Sequence, residues 1–431
     1  MQRQKATFQL ANGEHRIIKQ RMLNWAQQFS ILLLLDSNEY QSQYSRYECV
    51  LAVNPVSIIE GTSADQLNKV YKWHQENKDW LFGHICYDYK NLLETKLSSH
   101  HEPKHNFPLL HFFCPQIVCT INQQKTLFTI ESIGINPKEI FQSIQHTAPQ
   151  SEQPGPKISF RQKLDQTCYL ETIGRLRKHI KDGDCYEISF CSEGYAENVE
   201  VDPLQVFHEL NKISPAPFAS FYKLNEQYMM CASPERYLRK EGNTVLSQPI
   251  KGTARRDEDS IKDNFVKEQL RNSIKERAEN VMIVDLVRND LARSCEVGSV
   301  TVDELFGIYS FPQVHQMIST ISGKLKANVP FTDALAFSFP MGSMTGAPKI
   351  KAMQLLEQYE QSRRELFSGT VGYISPDANF DFNVIIRSLF YNKTANCLSY
   401  QTGGAITYDS DPEQEWQEMR LKAWALERIF A

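Results

Sequence analysis

A run of short strand-like segments between residues 218 and 256 constrains the fold of this 431-residue chain more than any other feature. Three β-type segments follow one another with few residues between them (218–224, 228–233 and 237–240), and Gly242-Asn243 then makes a tight turn into a fourth. Connections this short join antiparallel neighbours. The pattern predicts an antiparallel meander that ends in QPIKGTARR, with Lys251 at the bend. Lys251 is then either a solvated loop lysine or a residue of a site.

The rest of the chain combines further strand signals with helices. Helices are predicted at 165–182, 259–293 and 412–430, the last one capped by Asp411, and a single strand is predicted over 380–391. The stretch 146–159 is rich in Pro, Gln and Ser and is typical of a linker. We therefore expect a β-rich N-terminal region at 1–145, a linker at 146–159 and a C-terminal unit at 160–431.

Charge and hydropathy exclude several classes of protein. The net charge is −4, so no basic field indicates nucleic-acid binding. The longest aliphatic run, 31–35, is too short to cross a bilayer, and the polar start lacks the apolar region of a secretory signal. The ten cysteines show no metal-binding spacing, which indicates free thiols in a reducing compartment. We expect a cytoplasmic protein that binds neither nucleic acid nor membranes.

The C-terminal helix carries charges beside its apolar stripe instead of opposite it. At 100° per residue, Glu418 and Lys422 fall within about 60° of Glu415. Two interpretations remain open. Glu418 and Lys422 form a surface pair, or the two carboxylates and the lysine face a cavity suited to Mg²⁺ and an anion. Glu279, on the long helix predicted before it, is either a solvated glutamate or a third acid of that cavity.

Other residues are suited to holding carboxylates. The loop GSMTGAP, 342–348, precedes a helix, so its N–H groups and the Thr345 hydroxyl can meet an anion. Gly403-Gly404 indicates an interrupted strand, with a bulge or the close approach of a ligand. Arg387 lies in the predicted apolar strand and must be paired, either with a protein acid or with a planar ligand carboxylate. His315 is either a satisfied core histidine or a site residue.

Five segments, in this order, resemble the motifs of the chorismate-utilising enzymes. They read PIKGTARR, ERAENVMIVDLVRNDLARSCEVGSV, FPMGSMTGAPKIKAM, LFSGTVGYISPDANFDFNVIIRSL and GGAITYDSDPEQEWQEMRLKAWALE, and the resemblance covers residues 157–427. It implies an α+β fold, a large sandwich of two facing, mainly antiparallel sheets flanked by helices, with the site between the sheets. It also implies that the N-terminal strands join the same sandwich.

The resemblance assigns roles to individual residues. Glu279 and Glu418, with Glu415 beside them, match ligands of a Mg²⁺ ion that holds the ring carboxylate of chorismate. Glu235, in ASPER, matches the general acid that protonates the departing C4 hydroxyl, a role that requires a raised pKa. His315 matches an active-site histidine near that hydroxyl. The other matches are expected around the substrate: Gly252, Thr253, Thr345, Tyr373, Arg387, Gly403 and Lys422.

Lys251 distinguishes the members of the family. Members that form 4-amino-4-deoxychorismate typically carry lysine at this position, and those that form anthranilate, isochorismate or salicylate carry alanine. The resemblance implies that the Lys251 amine adds to C2 of chorismate as the C4 hydroxyl leaves, and that ammonia then attacks C4 and expels the lysine. This attack needs a neutral amine, and so a pKa of Lys251 that is lowered by burial or by a nearby cation. The surrounding glutamates and the Mg²⁺ ion act in opposite directions on this pKa, and the balance stays open.

The expected reaction also implies a partner. No segment resembles a glutaminase, so ammonia would come from a separate glutamine amidotransferase, and the product would lead to 4-aminobenzoate for folate. Glu187 stands where members that activate water carry lysine and where amine-forming members commonly carry glutamine, and its role stays open. The alternatives are a member that forms anthranilate and a non-catalytic relative that binds chorismate.

Overall fold

The computed structural model describes residues 2–148, 155–311 and 314–431. Part of the predicted linker at 146–159, namely residues 149–154, lies outside the described residues. The α-helices of the described residues are α1 (Glu14–Ala26), α2 (Gln66–Asn77), α3 (Lys90–Leu93), α4 (Pro137–His146), α5 (Gln166–Lys181), α6 (Pro203–Ile213), α7 (Ser260–Asn272), α8 (Ile274–Ser294), α9 (Phe331–Ser338), α10 (Lys349–Tyr359) and α11 (Pro412–Glu427).

The strands follow the same numbering along the chain. They are β1 (Gln4–Gln9), β2 (Ile31–Asp36), β3 (Tyr47–Glu60), β4 (Leu81–Ile85), β5 (Leu110–Asn122), β6 (Leu127–Ser132), β7 (Arg161–Gln162), β8 (Glu187–Glu197), β9 (Phe218–Leu224), β10 (Gln227–Ser233), β11 (Arg236–Glu241), β12 (Thr244–Gln248), β13 (Ile250–Arg255), β14 (Thr301–Ser310), β15 (Val314–Lys324), β16 (Gly346–Ala347), β17 (Thr370–Ile374), β18 (Phe380–Asn383), β19 (Ser388–Asn392) and β20 (Cys397–Ile406).

The strand pairings confirm the α+β class and its antiparallel character. Within the described residues every pair of neighbouring strands is antiparallel, and the pairs form one continuous network. β2 pairs with β9 and β4 pairs with β17. These two pairings connect the first 145 residues to the sheet of the later part of the chain.

Strands bury side chains on both of their faces, and helices cover the outer layers. Along β2, Ile31 and Leu33 belong to a core formed mostly by strand residues, whereas Leu32 and Leu34 point into a second core. That second core is closed by α1, α4 and α6, and a third core is closed by α2, α8 and α9. The alternation follows from the two-residue period of a strand. The result is a strand-lined interior with helices outside it.

Several predicted elements are divided differently in the structure. The meander at 218–256 consists of two hairpins, β9–β10 and β11–β12, and both β12 and β13 pair with β15. The helix predicted over 259–293 is two helices, because Ser273 is extended (ψ 117°) and its side chain caps α8 by accepting from the Glu276 N–H. The strand predicted over 380–391 is also two, since the backbone turns at Arg387, with φ 51°.

The strand at Gly403-Gly404 is continuous, in contrast to the predicted interruption. β20 runs through both glycines and pairs regularly with β8. A Cβ at Gly403 would lie 2.0 Å from the Phe190 carbonyl oxygen of β8. Glycine is therefore needed there by the neighbouring strand. No helix of the described residues is both long enough and apolar enough to cross a membrane.

Candidate active site

Lys251 lies at an irregularity of β13. The register of β13 against β15 shifts between Ile250 and Thr253, and Gly252 has φ +92°, a conformation that favours glycine. A Cβ at Gly252 would lie 3.0 Å from Glu276 Oε2, so the backbone passes close to α8. The Lys251 Nζ lies 2.5 Å from Glu187 Oε1 on β8, and their side chains are 10% and 0% exposed. The solvated-loop interpretation of Lys251 is therefore wrong.

The charges around Lys251 act against the required lowering of its pKa. Burial alone would lower the pKa of Lys251, but the carboxylates of Glu187, Glu279 and Glu235 outweigh burial and raise it. The amine is therefore protonated at neutral pH, held by the ion pair with Glu187. A nucleophilic Lys251 requires a nearby group that can take its proton.

Glu235 is a buried acid with a raised pKa. It sits between β10 and β11, and Ser343 Oγ donates a hydrogen bond of 2.6 Å to Glu235 Oε1. Burial raises the pKa of Glu235 to about 7, although Ser343 and Lys251 both act to lower it. A carboxyl group with this pKa keeps a proton near neutral pH and can donate it, as a general acid must. The sequence did not single out Ser343, which lies in the loop 342–348.

Three further glutamates converge around Lys275 of α8. Burial would lower the pKa of Lys275, but Glu279, Glu415 and Glu418 are among the acids that raise it. Burial also raises the pKa of Glu279, to about 7, and that of Glu415. Glu415 Oε1 accepts a hydrogen bond of 2.8 Å from Ser410. Glu279 is buried, so the solvated interpretation of this glutamate is wrong, and its role as a third acid stays a prediction.

The α11 carboxylates have the chemistry of a magnesium site. A Cβ at Gly404 would lie 3.2 Å from Glu415 Oε2 and 4.0 Å from Glu418 Oε1, so both carboxylates lie beside this glycine. Mg²⁺ needs only one or two carboxylates and completes its shell with water and substrate oxygens. In the part of the chain that the structure describes, no three His, Cys, Asp or Glu side chains form a group that could hold a metal ion. The donors present fit two protein ligands for Mg²⁺, Glu415 and Glu418.

Lys422 pairs with its own helix and with β20. Its Nζ lies 2.8 Å from Glu418 Oε1 and donates a 2.8 Å hydrogen bond to the Gly403 carbonyl. This i,i+4 pair is partly exposed, and Lys422 lowers the pKa of Glu418. The surface-pair interpretation therefore holds for Glu418 and Lys422. Glu415 is buried, and the magnesium interpretation of the stripe stays a prediction.

Arg387 has a guanidinium group that no acid of residues 2–148, 155–311 and 314–431 neutralises. Among the described residues it has no hydrogen-bond or ion-pair partner, and burial lowers its pKa. It lines a small cavity with Pro234, Phe311 and Gln316. Gln316 Oε1 is buried without a hydrogen-bond partner in the described residues. The alternative in which Arg387 pairs with a protein acid is therefore wrong, and a ligand carboxylate suits its planar fork.

Gln316 is a polar residue of this cavity that the sequence analysis missed. The sequence indicated its neighbour His315 as the site residue of this segment instead, because histidine has the more reactive side chain. Alternation along β15 puts the two side chains on opposite faces, and Gln316 is the one that lines the cavity with Arg387.

Two of the predicted site residues lie in other surroundings. His315 is buried between Ser310 Oγ, 2.8 Å from Nδ1, and Asp263 Oδ1 of α7, 2.9 Å from Nε2, as a satisfied core histidine would be. Tyr373 packs against Tyr47 and lines a different cavity. Within the described residues, neither the hydrogen bonds of His315 nor the ring contacts of Tyr373 reach Lys251 or Glu235.

Two other predicted residues have backbone roles. The Thr345 hydroxyl donates within its own loop, to the Met341 and Gly342 carbonyls at 3.3 Å, and its own carbonyl accepts from Ser189 N. Thr253 pairs with Gln316 across β13 and β15. These contacts fix the loop and the strand that carry the site.

Comparison with known proteins identifies the class of this protein. The family model of chorismate binding enzymes matches residues 30–428. The chain therefore belongs to the family of chorismate binding enzymes, as the five sequence motifs indicated.

The match to named relatives covers only part of the length of each relative. The chain is 39% identical to the chloroplastic aminodeoxychorismate synthase of Arabidopsis thaliana, over 65% of this chain and 30% of that protein. It is 35% identical to aminodeoxychorismate synthase component 1 of Escherichia coli (strain K12), over 69% of this chain and 65% of that protein. The matched part is less than two thirds of either relative.

A solved structure shares the fold. Anthranilate synthase component I from Streptococcus pneumoniae TIGR4 superposes with a TM-score of 0.78 at 24% identity. The match covers 90% of this chain and 94% of that chain. The shared fold confirms the predicted architecture of antiparallel strands with flanking helices.

Proposed function

We propose that this chain is the chorismate-converting component of an aminodeoxychorismate synthase, which forms 4-amino-4-deoxychorismate from chorismate and ammonia. One observation carries this proposal: the buried Lys251 Nζ lies among Glu187, Glu279 and Glu235. Alanine at this position could not supply a nucleophile. The names of the relatives from Arabidopsis thaliana and Escherichia coli support the same product.

The proposed reaction uses Lys251 as nucleophile and Glu235 as acid. The neutral Lys251 amine forms a bond to C2 of chorismate, the ring double bonds shift, and the C4–O bond breaks. Glu235 gives its proton to the departing oxygen, which leaves as water. Ammonia then bonds to C4, the double bonds shift back, and the C2–N bond to Lys251 breaks. The chain is regenerated when Glu235 takes a proton from the new amino group.

The charges of the substrate match the charges of the site. Chorismate carries two carboxylates, and the unpaired guanidinium of Arg387 can bind one of them in the bidentate mode. Glu415 and Glu418 would hold Mg²⁺ for the other. When bound, this ion neutralises the carboxylate that faces the acidic side of the site. Without that neutralisation, the carboxylate would be repelled by the glutamates.

The second substrate and the setting of the reaction belong to the same proposal. Ammonia would come from a glutamine amidotransferase subunit, and the product would serve 4-aminobenzoate and folate formation. The ten cysteines are free in the structure, and all but Cys168 are buried. Free thiols support a reducing compartment such as the cytoplasm.

The proposed function is tested by identifying the product. The purified chain is incubated with chorismate, MgCl₂ and ammonium chloride, and the products are separated by chromatography and identified by mass. We expect 4-amino-4-deoxychorismate, formed only when all three are present. Fluorescent anthranilate would assign the chain to the anthranilate-forming members of the family. Unchanged chorismate would indicate a relative that binds chorismate without converting it.

A further inference from the structure

Glu187 is the residue of the site whose role the sequence leaves open. It begins β8, its side chain is fully buried, and its Oε1 lies 2.5 Å from the Lys251 Nζ. Its Oε2 is buried without a hydrogen-bond partner among the described residues. A buried carboxylate that exists only for stability is normally satisfied at both oxygens. In the part of the chain that the structure describes, Lys251 alone binds the Glu187 carboxylate, through the atom that the proposed function makes the nucleophile.

The backbone holds Glu187 firmly in this position. Glu187 pairs with Ala347 of β16, and the Tyr186 N–H donates a 2.7 Å hydrogen bond to the Ala347 carbonyl. A Cβ at Gly346 would lie 2.2 Å from the Glu187 carbonyl oxygen, so the two backbones are in close contact. One residue along β8, Ile188 pairs with both Gly346 and Ile406. A carboxylate on this rigid strand end can exchange a proton with Lys251 without a conformational change.

From this geometry we infer that Glu187 is the catalytic base that takes a proton from the Lys251 ammonium and returns it at the end of the cycle. This inference rests on the proposed function. It explains how a lysine that is ion-paired at rest becomes a nucleophile. Solvent is not needed to carry the proton from Lys251 to Glu187, because donor and acceptor are already in hydrogen-bond contact.

The proton balance of the cycle closes with this assignment. At rest Lys251 is an ammonium, Glu187 a carboxylate and Glu235 a carboxylic acid. Glu187 takes one proton from Nζ, the freed lone pair bonds to C2, and Glu235 gives its proton to the leaving C4 oxygen. After ammonia has bonded to C4 and the neutral Lys251 amine has left C2, Glu187 returns its proton to Nζ. Glu235 is reprotonated by the new C4 ammonium group, so the sum is chorismate plus ammonia giving 4-amino-4-deoxychorismate plus water.

Glu193 on the same strand offers a matched control. Its side chain is also buried, and its Oε2 lies 2.7 Å from the Nζ of Lys104. Glu187→Gln and Glu193→Gln therefore each remove from β8 one buried carboxylate that is paired with a lysine. A loss caused by weakened packing would appear in both variants, whereas a loss caused by the missing base would appear only in Glu187→Gln.

The experiment measures kcat/KM for chorismate from pH 6 to pH 9, with saturating ammonia and MgCl₂. The charged groups that face Lys251 are Glu187 of β8, Glu276 and Glu279 of α8, Glu418 of α11, and Glu235. All of them except Glu187 remain in every variant, so the ratio of variant to wild type isolates Glu187. An amine that must lose its proton to solvent gives a rate that rises about tenfold per pH unit below its pKa.

We expect Glu187→Gln to be at least tenfold slower than the wild type at pH 6.5, with a deficit that shrinks as the pH rises. Glu187→Asp retains a carboxylate and should keep the pH dependence of the wild type at a lower rate. Glu193→Gln should give the wild-type profile. A Glu187→Gln profile that coincides with the wild type, or a higher rate at pH 6.5, would overturn the inference. If the wild type makes no aminodeoxychorismate at all, the proposed function fails first, and the variants are not needed to show it.

Discussion

The buried acid Glu235 leads to a prediction about stability that does not depend on the reaction. The pKa of this carboxyl group rises from 4.5 to about 7 on folding, mainly because of burial. Each pKa unit corresponds to about 1.4 kcal/mol. The shift therefore amounts to about 3 kcal/mol between the two protonation states of the folded chain.

The sign of the effect follows from proton binding. Between pH 4.5 and pH 7 the folded chain holds the proton of Glu235 and the unfolded chain has released it. The free energy of unfolding therefore falls as the pH rises through this window, and the loss is complete above it. Glutamine at position 235 does not titrate, and its amide oxygen can still accept the hydrogen bond from Ser343.

Urea unfolding of the wild type and of Glu235→Gln, measured from pH 4.5 to pH 8, tests this reasoning. The variant should gain about 3 kcal/mol relative to the wild type across the range, and the difference should level off as the pH approaches 8. Glu171→Gln, which removes an exposed carboxylate, should show no such trend. A difference between wild type and Glu235→Gln that is independent of pH would refute the assignment of a buried, protonated acid at this position.

Three further predictions concern the site and its frame. Lys251→Ala should lose at least a thousandfold in kcat while the Kd for chorismate changes less than about threefold. The control Lys104→Ala, at the other glutamate–lysine pair of β8, should keep the kcat of the wild type. An active Lys251→Ala would contradict covalent catalysis. Arg387→Ala should raise the KM for chorismate by about 10- to 100-fold, since a charge-assisted hydrogen bond contributes about 1.5–3 kcal/mol. An unchanged KM in steady-state kinetics would contradict the binding of chorismate by Arg387. Gly403→Ala should destabilise the chain by more than about 1 kcal/mol, because the new Cβ overlaps the backbone of β8. Gly174→Ala in α5, where a Cβ meets no atom within 4 Å, should stabilise the chain by about 0.5–1 kcal/mol. Thermal unfolding of the two variants measures both changes.

Features with a local cause were readable from the sequence. Asp165 and Asp411 cap α5 and α11 as predicted, each accepting a hydrogen bond from a backbone N–H three residues on. The break between α7 and α8 also had a local signal. Ser273 and Glu276 have the spacing of a capping box, but the apolar period continued across it and favoured one long helix.

Features with a non-local cause were not readable in this way. The turn at Arg387 depends on a positive φ in a residue that rarely adopts one. The strand at Gly403 needs glycine because of β8, more than 200 residues earlier in the chain. Helices α1, α4 and α6 and the pair β14–β15 were not predicted, and Gln316 was missed with them.

The site itself was predicted mainly through the five motifs. Spacing on α11 indicated Glu415 and Glu418 but left their surroundings open. The contact between Lys251 and Glu187 joins residues 64 positions apart. The hydrophobic periodicity of a sequence does not predict a contact between residues this far apart. The direction of the pKa shift of Lys251 was left open for the same reason, because the carboxylates that raise the pKa come from three separate elements.

The most direct test of covalent catalysis by Lys251 is the mass of the Lys251 peptide after incubation with chorismate and MgCl₂ in the absence of ammonia. We expect this peptide to gain the mass of chorismate less one water. The adduct should disappear when ammonium is added and aminodeoxychorismate forms. Lys251→Ala should carry no adduct. Formation of aminodeoxychorismate by a chain that never carries the adduct, or an adduct of the same mass on Lys251→Ala, would contradict the central claim that Lys251 is the nucleophile.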